Sequence, residues 1–158
     1  MKYLYLLSIL SFFCLSKVSA QNNRPFTMKD YRMTELSSNL INKIIQDSNG
    51  YIWVATDYGL NKFDGIKYTQ YLHLEKDSTS LLSNNVKTLM IDKKGILWIG
   101  SNKGIQYYNS LENSFKTISF PENLSPHVSN IIELHDGQMW VTTAGSGAFS
   151  INRDNLSA

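Results

Sequence analysis

The stretch Gln46–Gly65, "QDSNGYIWVATDYGLNKFDG", decides the fold of this chain, because its spacing returns twice. "IDKKGILWIGSNKGIQYYN" occupies Ile91–Asn109, and "LHDGQMWVTTAGSGAFSI" occupies Leu134–Ile151. Aligned on tryptophan, Trp53, Trp98 and Trp140 lie 45 and 42 residues apart. Gly50, Gly95 and Gly137 stand three residues before them, and Ser38, Ser83 and Ser125 fifteen before. Gly59 and Gly104 follow six residues after, while Gly147 comes one residue late through an insertion in "TAGSG". One tryptophan per unit at a fixed period of this length is the mark of a repeat architecture.

Within the first unit, Ile41–Gln46 reads as an apolar strand, closed by the turn Asp47-Ser48-Asn49-Gly50. The aspartate carboxylate can accept the amide two residues on, and Gly50 tolerates the positive φ that such a turn needs. Tyr51–Thr56 alternates aromatic and β-branched residues as a second strand, and Asp57-Tyr58-Gly59 turns again. Leu60–Phe63 makes a third strand, Asp64-Gly65 a hairpin signal, and Ile66–Tyr71 a fourth. Four antiparallel strands per unit make one blade of a β-propeller. The expectation is therefore an all-β chain: a partial β-propeller of about three four-stranded blades, spanning residues 38–82, 83–124 and 125–158, the third incomplete. Trp53, Trp98 and Trp140 hold the same mid-strand register, which makes them packing wedges between blades rather than binding platforms.

Ahead of the repeats, Lys2, the apolar run Leu4–Leu15 and the small residues Val18-Ser19-Ala20 read as a secretory signal peptide over residues 1–20. The single cysteine, Cys14, lies inside it behind the bulky Phe13, which argues against a lipid anchor. Residues 21–158 then form one cysteine-free domain with no further apolar stretch of membrane-spanning length. Two of the 15 basic residues, Lys2 and Lys17, precede Gln21, so the remainder match the 13 acidic residues. A neutral domain gives no electrostatic footprint for nucleic acid. The expected location is the periplasm.

Strand alternation places the second-to-third turns and the blade-to-blade links on one face. That upper face carries the longer and more varied loops, "TELSSN", "LEKDSTSLLSNN" and "FPENLSPH". Loops presented by a rigid scaffold carry recognition. The candidate ligand-binding residues are accordingly Asp57, Tyr58, Asn102, Lys103 and Ser146. Each has a plain alternative: Asp57 and Asn102 suit turns regardless of ligand, and Tyr58 and Lys103 can be solvated. No catalytic or metal site is expected. His73, His127 and His135 sit at non-equivalent positions without metal-ligand spacing, and neither a phosphate loop nor a nucleophile elbow is present.

"LINKIIQDSNGYIWVATDYGLNKFDG" and "NVKTLMIDKKGILWIGSNKGIQYYN" resemble two-component regulator propeller repeats. Such repeats build the periplasmic sensor of Bacteroidota hybrid sensor histidine kinases, and "FTMKDYRMTELSSN" is similar to the stretch after their signal peptides. The third unit departs from the pattern with Leu134 where Asp47 and Asp92 stand. The resemblance implies a ligand-sensing module without enzymatic activity or cofactor, recognising an oligosaccharide from a complex glycan. The kinase would lie in parts absent here, so the chain reads as the amino-terminal piece of a longer sensor. The alternatives are a secreted propeller enzyme of the lyase or lactonase kind, or a scaffold for protein contacts. Three blades alone leave sheet faces open, which predicts assembly with further blades or with copies of itself.

Overall fold

A computed structural model of the chain describes residues 35–121 and 124–151. The expected signal peptide at 1–20, the stretch that follows it and the residues after Ile151 lie outside the described residues. Among the described residues eleven strands form three antiparallel sheets, each with its strands in chain order. The first holds β1 (Ile41–Gln46), β2 (Ile52–Thr56), β3 (Gly59–Phe63) and β4 (Tyr68–Tyr71). The second holds β5 (Val86–Ile91), β6 (Leu97–Ser101), β7 (Gly104–Asn109) and β8 (Ser114–Ile118). The third holds β9 (Val128–Glu133), β10 (Met139–Thr143) and β11 (Ala148–Ile151). First strands lie side by side, β1 against β5 and β5 against β9, so they line a common axis as propeller blades do.

The first turns of the first two blades are set by the same chemistry. Asp47 Oδ1 accepts the amides of Asn49 (2.9 Å) and Tyr51 (3.0 Å), and Gly50 sits at φ +86. Asp92 repeats this with the amides of Lys94 (2.8 Å) and Ile96 (2.9 Å). The second carboxylate oxygen of each takes the wedge indole: Trp53 Nε1 donates to Asp47 (2.8 Å) and Trp98 Nε1 to Asp92 (2.9 Å). In the third blade the backbone turn survives, with Leu134 N donating to Gln138 O at 2.8 Å. Leu134 offers no side-chain acceptor, however, and Trp140 Nε1 is buried without a partner among the described residues.

Two seams hold the blades together. Trp53 packs with Leu89, Leu97, Ile99 and Phe115 of the second blade, and Tyr71 and Tyr108 close around it with ring centroids 5.9 and 5.1 Å away. Trp98 packs with Val128, Ile131, Met139 and Val141 of the third. Burying 150–250 Å² of indole contributes roughly 4–6 kcal/mol per wedge as an upper bound. Gly100 lets the second seam close, since a Cβ there would meet Val128 Cγ1 at 2.6 Å.

Two expectations need correction. Trp140 is only half-buried, because among the described residues no blade follows to seal its face. The fourth strand of the first blade begins at Tyr68 rather than Ile66. Asp64 Oδ1 instead caps the amides of Ile66 (2.8 Å) and Lys67 (2.9 Å), which widens the hairpin and leaves Ile66 in solvent.

Candidate functional site

In all three blades the first strand carries a bulge near its start. Asn42 is skipped between Ile41↔Thr56 and Lys43↔Ala55, and Lys87 between Val86↔Ser101 and Thr88↔Gly100. Ser129 is skipped between Val128↔Thr143 and Asn130↔Thr142. An extra residue in one strand re-aims its side chain away from the ladder, and bulges gather beside functional sites for that reason. All three lie eleven residues before the blade tryptophan, on the first strands, next to the second-to-third turns.

The first two bulges converge on Asp57. Its Oδ1 accepts from Lys87 Nζ (2.8 Å), Asn42 Nδ2 (2.9 Å) and Asn85 Nδ2 (3.2 Å). Asn42 also donates to Val86 O at 2.7 Å, so the cluster clasps the first blade to the second. The Lys87 ammonium, with Asn42 next, holds the Asp57 carboxyl below its ordinary value. Among the described residues Asp57 Oδ2 receives no hydrogen bond, and Asn85 Oδ1 is buried without a donor. The result is a carboxylate held rigid through one oxygen, with the other directed elsewhere, beside an ammonium and two amides. Such a set suits recognition of hydroxyl groups, because it offers a fixed acceptor and fixed donors a short distance apart.

Of the residues singled out by sequence, the structure brings Asp57 and Asn102 together through Asn85, whose carbonyl accepts the Asn102 amide at 3.2 Å. Asn102 Oδ1 is occupied by Ser83 Oγ at 2.6 Å. Tyr58, Lys103 and Ser146 are exposed and share a simpler role. Their amides donate to Thr56 Oγ1 (3.1 Å), Ser101 Oγ (3.2 Å) and Thr143 Oγ1 (3.2 Å), one hydroxyl-capped turn per blade. Gly50, Gly59, Gly95, Gly104 and Gly137 of the repeat signature all take positive φ, and Trp53 and Trp98 are buried in the two seams. Asn42, Asn85 and Lys87 were missed by sequence reasoning; the one available signal was that Asn42 and Lys87 occupy equivalent repeat positions. Among the described residues no group of His, Cys, Asp or Glu is placed to hold a metal. His73 serves its own loop, with Nδ1 2.7 Å from Leu81 O.

Comparison with known proteins agrees with the fold. Residues 35–58 and 80–103 match the family model of the two component regulator propeller, each segment ending in a second-to-third turn. Histidine kinase P4 of Formosa agariphila is 40% identical over 73 residues, which is 46% of this chain and 5% of that protein. The extracellular domain of a hybrid two component system from B. thetaiotaomicron superposes with TM-score 0.74 at 25% identity, over 83% of this chain and 19% of that one. A second such domain from the same organism gives 0.67 at 19% identity, over 80% of this chain and 19% of that one. PorZ, a surface component of the type-IX secretion system of Porphyromonas gingivalis, gives 0.55 at 22%, over 77% and 19%. The chain thus spans about a fifth of these solved structures, and its propeller fold and its match to the two component regulator propeller model at residues 35–58 and 80–103 agree with the sequence expectation. No helix among the described residues is long and apolar enough to cross a membrane.

Proposed function

We propose that this chain is a ligand-recognising part of an extracytoplasmic propeller sensor, exported to the periplasm by its signal peptide and coupled to a histidine kinase encoded with it. It binds an oligosaccharide at the upper face and does not transform it. The observation that carries this reading is the Asp57 carboxylate, fixed through Oδ1 by donors from two blades while Oδ2 accepts no protein hydrogen bond among the described residues. A sugar hydroxyl donates to such an oxygen while its neighbour accepts from Lys87, whose ammonium has hydrogens beyond the one given to Asp57, a pairing that matches vicinal hydroxyls. The likeness to extracellular domains of hybrid two component systems supports a sensing role over a catalytic one.

Calorimetric titration with short α-glucan, β-glucan, xylan and pectin oligosaccharides tests the proposal. Binding by at least one class is expected, with the sugar recovered intact and affinity reduced at least tenfold by Asp57→Ala. New reducing ends or unsaturated products would instead support the lyase alternative. Failure of every class to bind would remove the glycan reading.

A further inference from the structure

The Asp57 cluster is one member of a repeated arrangement. It joins Asp57 and Asn42, four after and eleven before one blade's tryptophan, to Asn85 and Lys87, thirteen and eleven before the next. One blade on, the same four places hold Asn102, Lys87, His127 and Ser129. The backbone frame is the same at both, with Asn102 N donating to Asn85 O at 3.2 Å and Ala144 N to His127 O at 2.8 Å. β5 also lies against β9 as β1 lies against β5. The repeat therefore sets His127 opposite Asn102, as Asn85 stands opposite Asp57.

The chemistry of the second place is different, because an amide replaces the carboxylate. Asn102 Oδ1 is taken by Ser83 Oγ at 2.6 Å, which leaves Nδ2 as its free end. Asn102, Lys103 and His127 are all exposed, and among the described residues Asn102 Nδ2, the Lys103 ammonium and the His127 ring have no hydrogen-bond partner. The nearby acids are elsewhere. Glu35 is tied to β4 through Gln70, and the loop of Glu75 and Asp77 is tied to β8 through Thr79 O and Phe115 N, so both lie at the outer rim. Asp57 is thus the acid at the axial end of this face, and Lys87 already neutralises it.

We infer that the sugar recognised here is acidic: its hydroxyls meet Asp57 and Lys87, and its carboxylate sits one seam further round, between Asn102 Nδ2, His127 and Lys103. A planar carboxylate accepts from two N–H donors at once, and a neighbouring ammonium strengthens the set. The ligand class is an oligosaccharide containing uronic acid. This inference rests on the ligand reading proposed above and narrows it.

Calorimetric titration of the full chain with galacturonate and mannuronate oligosaccharides and with their methyl esters provides the test, since the esters keep every ring hydroxyl and lose the charge. At least one free acid is expected to bind about tenfold tighter than its ester, the size of one charge-assisted hydrogen bond, and to lose that margin as salt rises from about 0.05 to 0.5 M. His127→Leu and Lys103→Met change exposed side chains, and each is expected to narrow the acid-over-ester ratio about threefold or more. Asp57→Ala lowers both affinities together. Lys116→Met, which removes a cation paired with Glu112 on β8, leaves the ratio as it is. Equal binding of acid and ester, a preference for neutral xylo-oligosaccharides or for a sulfated galactan oligosaccharide, or a ratio untouched by the His127 and Lys103 variants would overturn the inference and leave the Asp57 site standing. Absence of binding by every sugar would remove both.

Discussion

Replacing Asp92 by leucine turns the second blade's first turn into a copy of the third, and its cost can be worked from the bonds lost. Asp92 is 5% exposed and accepts the amides of Lys94 and Ile96 and the Trp98 indole N–H. The Lys94 amide belongs to an exposed residue and regains water, so its loss matters little. The Trp98 indole is fully buried and Ile96 is half-buried, so both are left without an acceptor. Each unsatisfied group costs about 1–3 kcal/mol, and the two together cost about 2–6 kcal/mol, with a middle value of about 4. Burial of the leucine side chain offsets about 1–2 kcal/mol of this. A net loss of about 2–3 kcal/mol moves a urea midpoint down by about 1–2 M at the slope usual for small domains. Unfolding followed by tryptophan fluorescence reads the shift. Asp92→Asn keeps the backbone bonds and faces the indole with an amide donor, so it costs less, about 1–2 kcal/mol. A midpoint within about 0.3 M of wild type for the leucine variant would refute the assignment of the carboxylate as the seam's polar anchor.

Two shorter predictions concern the same seams. Gly100→Ala drives a Cβ into Val128 and Thr88, at 2.6 and 2.7 Å, and is expected to destabilise by about 1–3 kcal/mol; an unchanged denaturation midpoint would show that the second seam has slack. Asp57 has its carboxyl lowered by Lys87, so its stabilising contribution is present above the ordinary carboxylate range and is lost as pH falls through the lower folded value. Lys87→Met should raise the Asp57 titration midpoint toward 3.8, read by carboxyl NMR; a midpoint that stays put would mean that the contact does not persist in solution.

The architecture was legible because propeller blades are locally encoded. Strand alternation, the turn glycines at positive φ and the tryptophan register all depend on residues within about ten positions of one another. The substitution of Leu134 for the turn aspartate was also visible in the sequence. What it does was not: the backbone turn is unchanged, and the loss falls on an indole six residues away. The upper face was predictable from alternation, and Asp57 with it. The cluster around Asp57 was hidden, because Asn42 lies 15 residues before it, Asn85 28 after and Lys87 30 after. Those separations exceed any local pattern.

Sequence by itself determined three repeats, an all-β fold and the side of the sheets on which the longer loops lie, since short-range stereochemistry governs all of these. Only tertiary structure decided which wedges are sealed and which polar groups meet at the axis. A bulge is a mismatch between two strands, and a seam is a contact between two sheets. Neither exists until the blades are packed against each other.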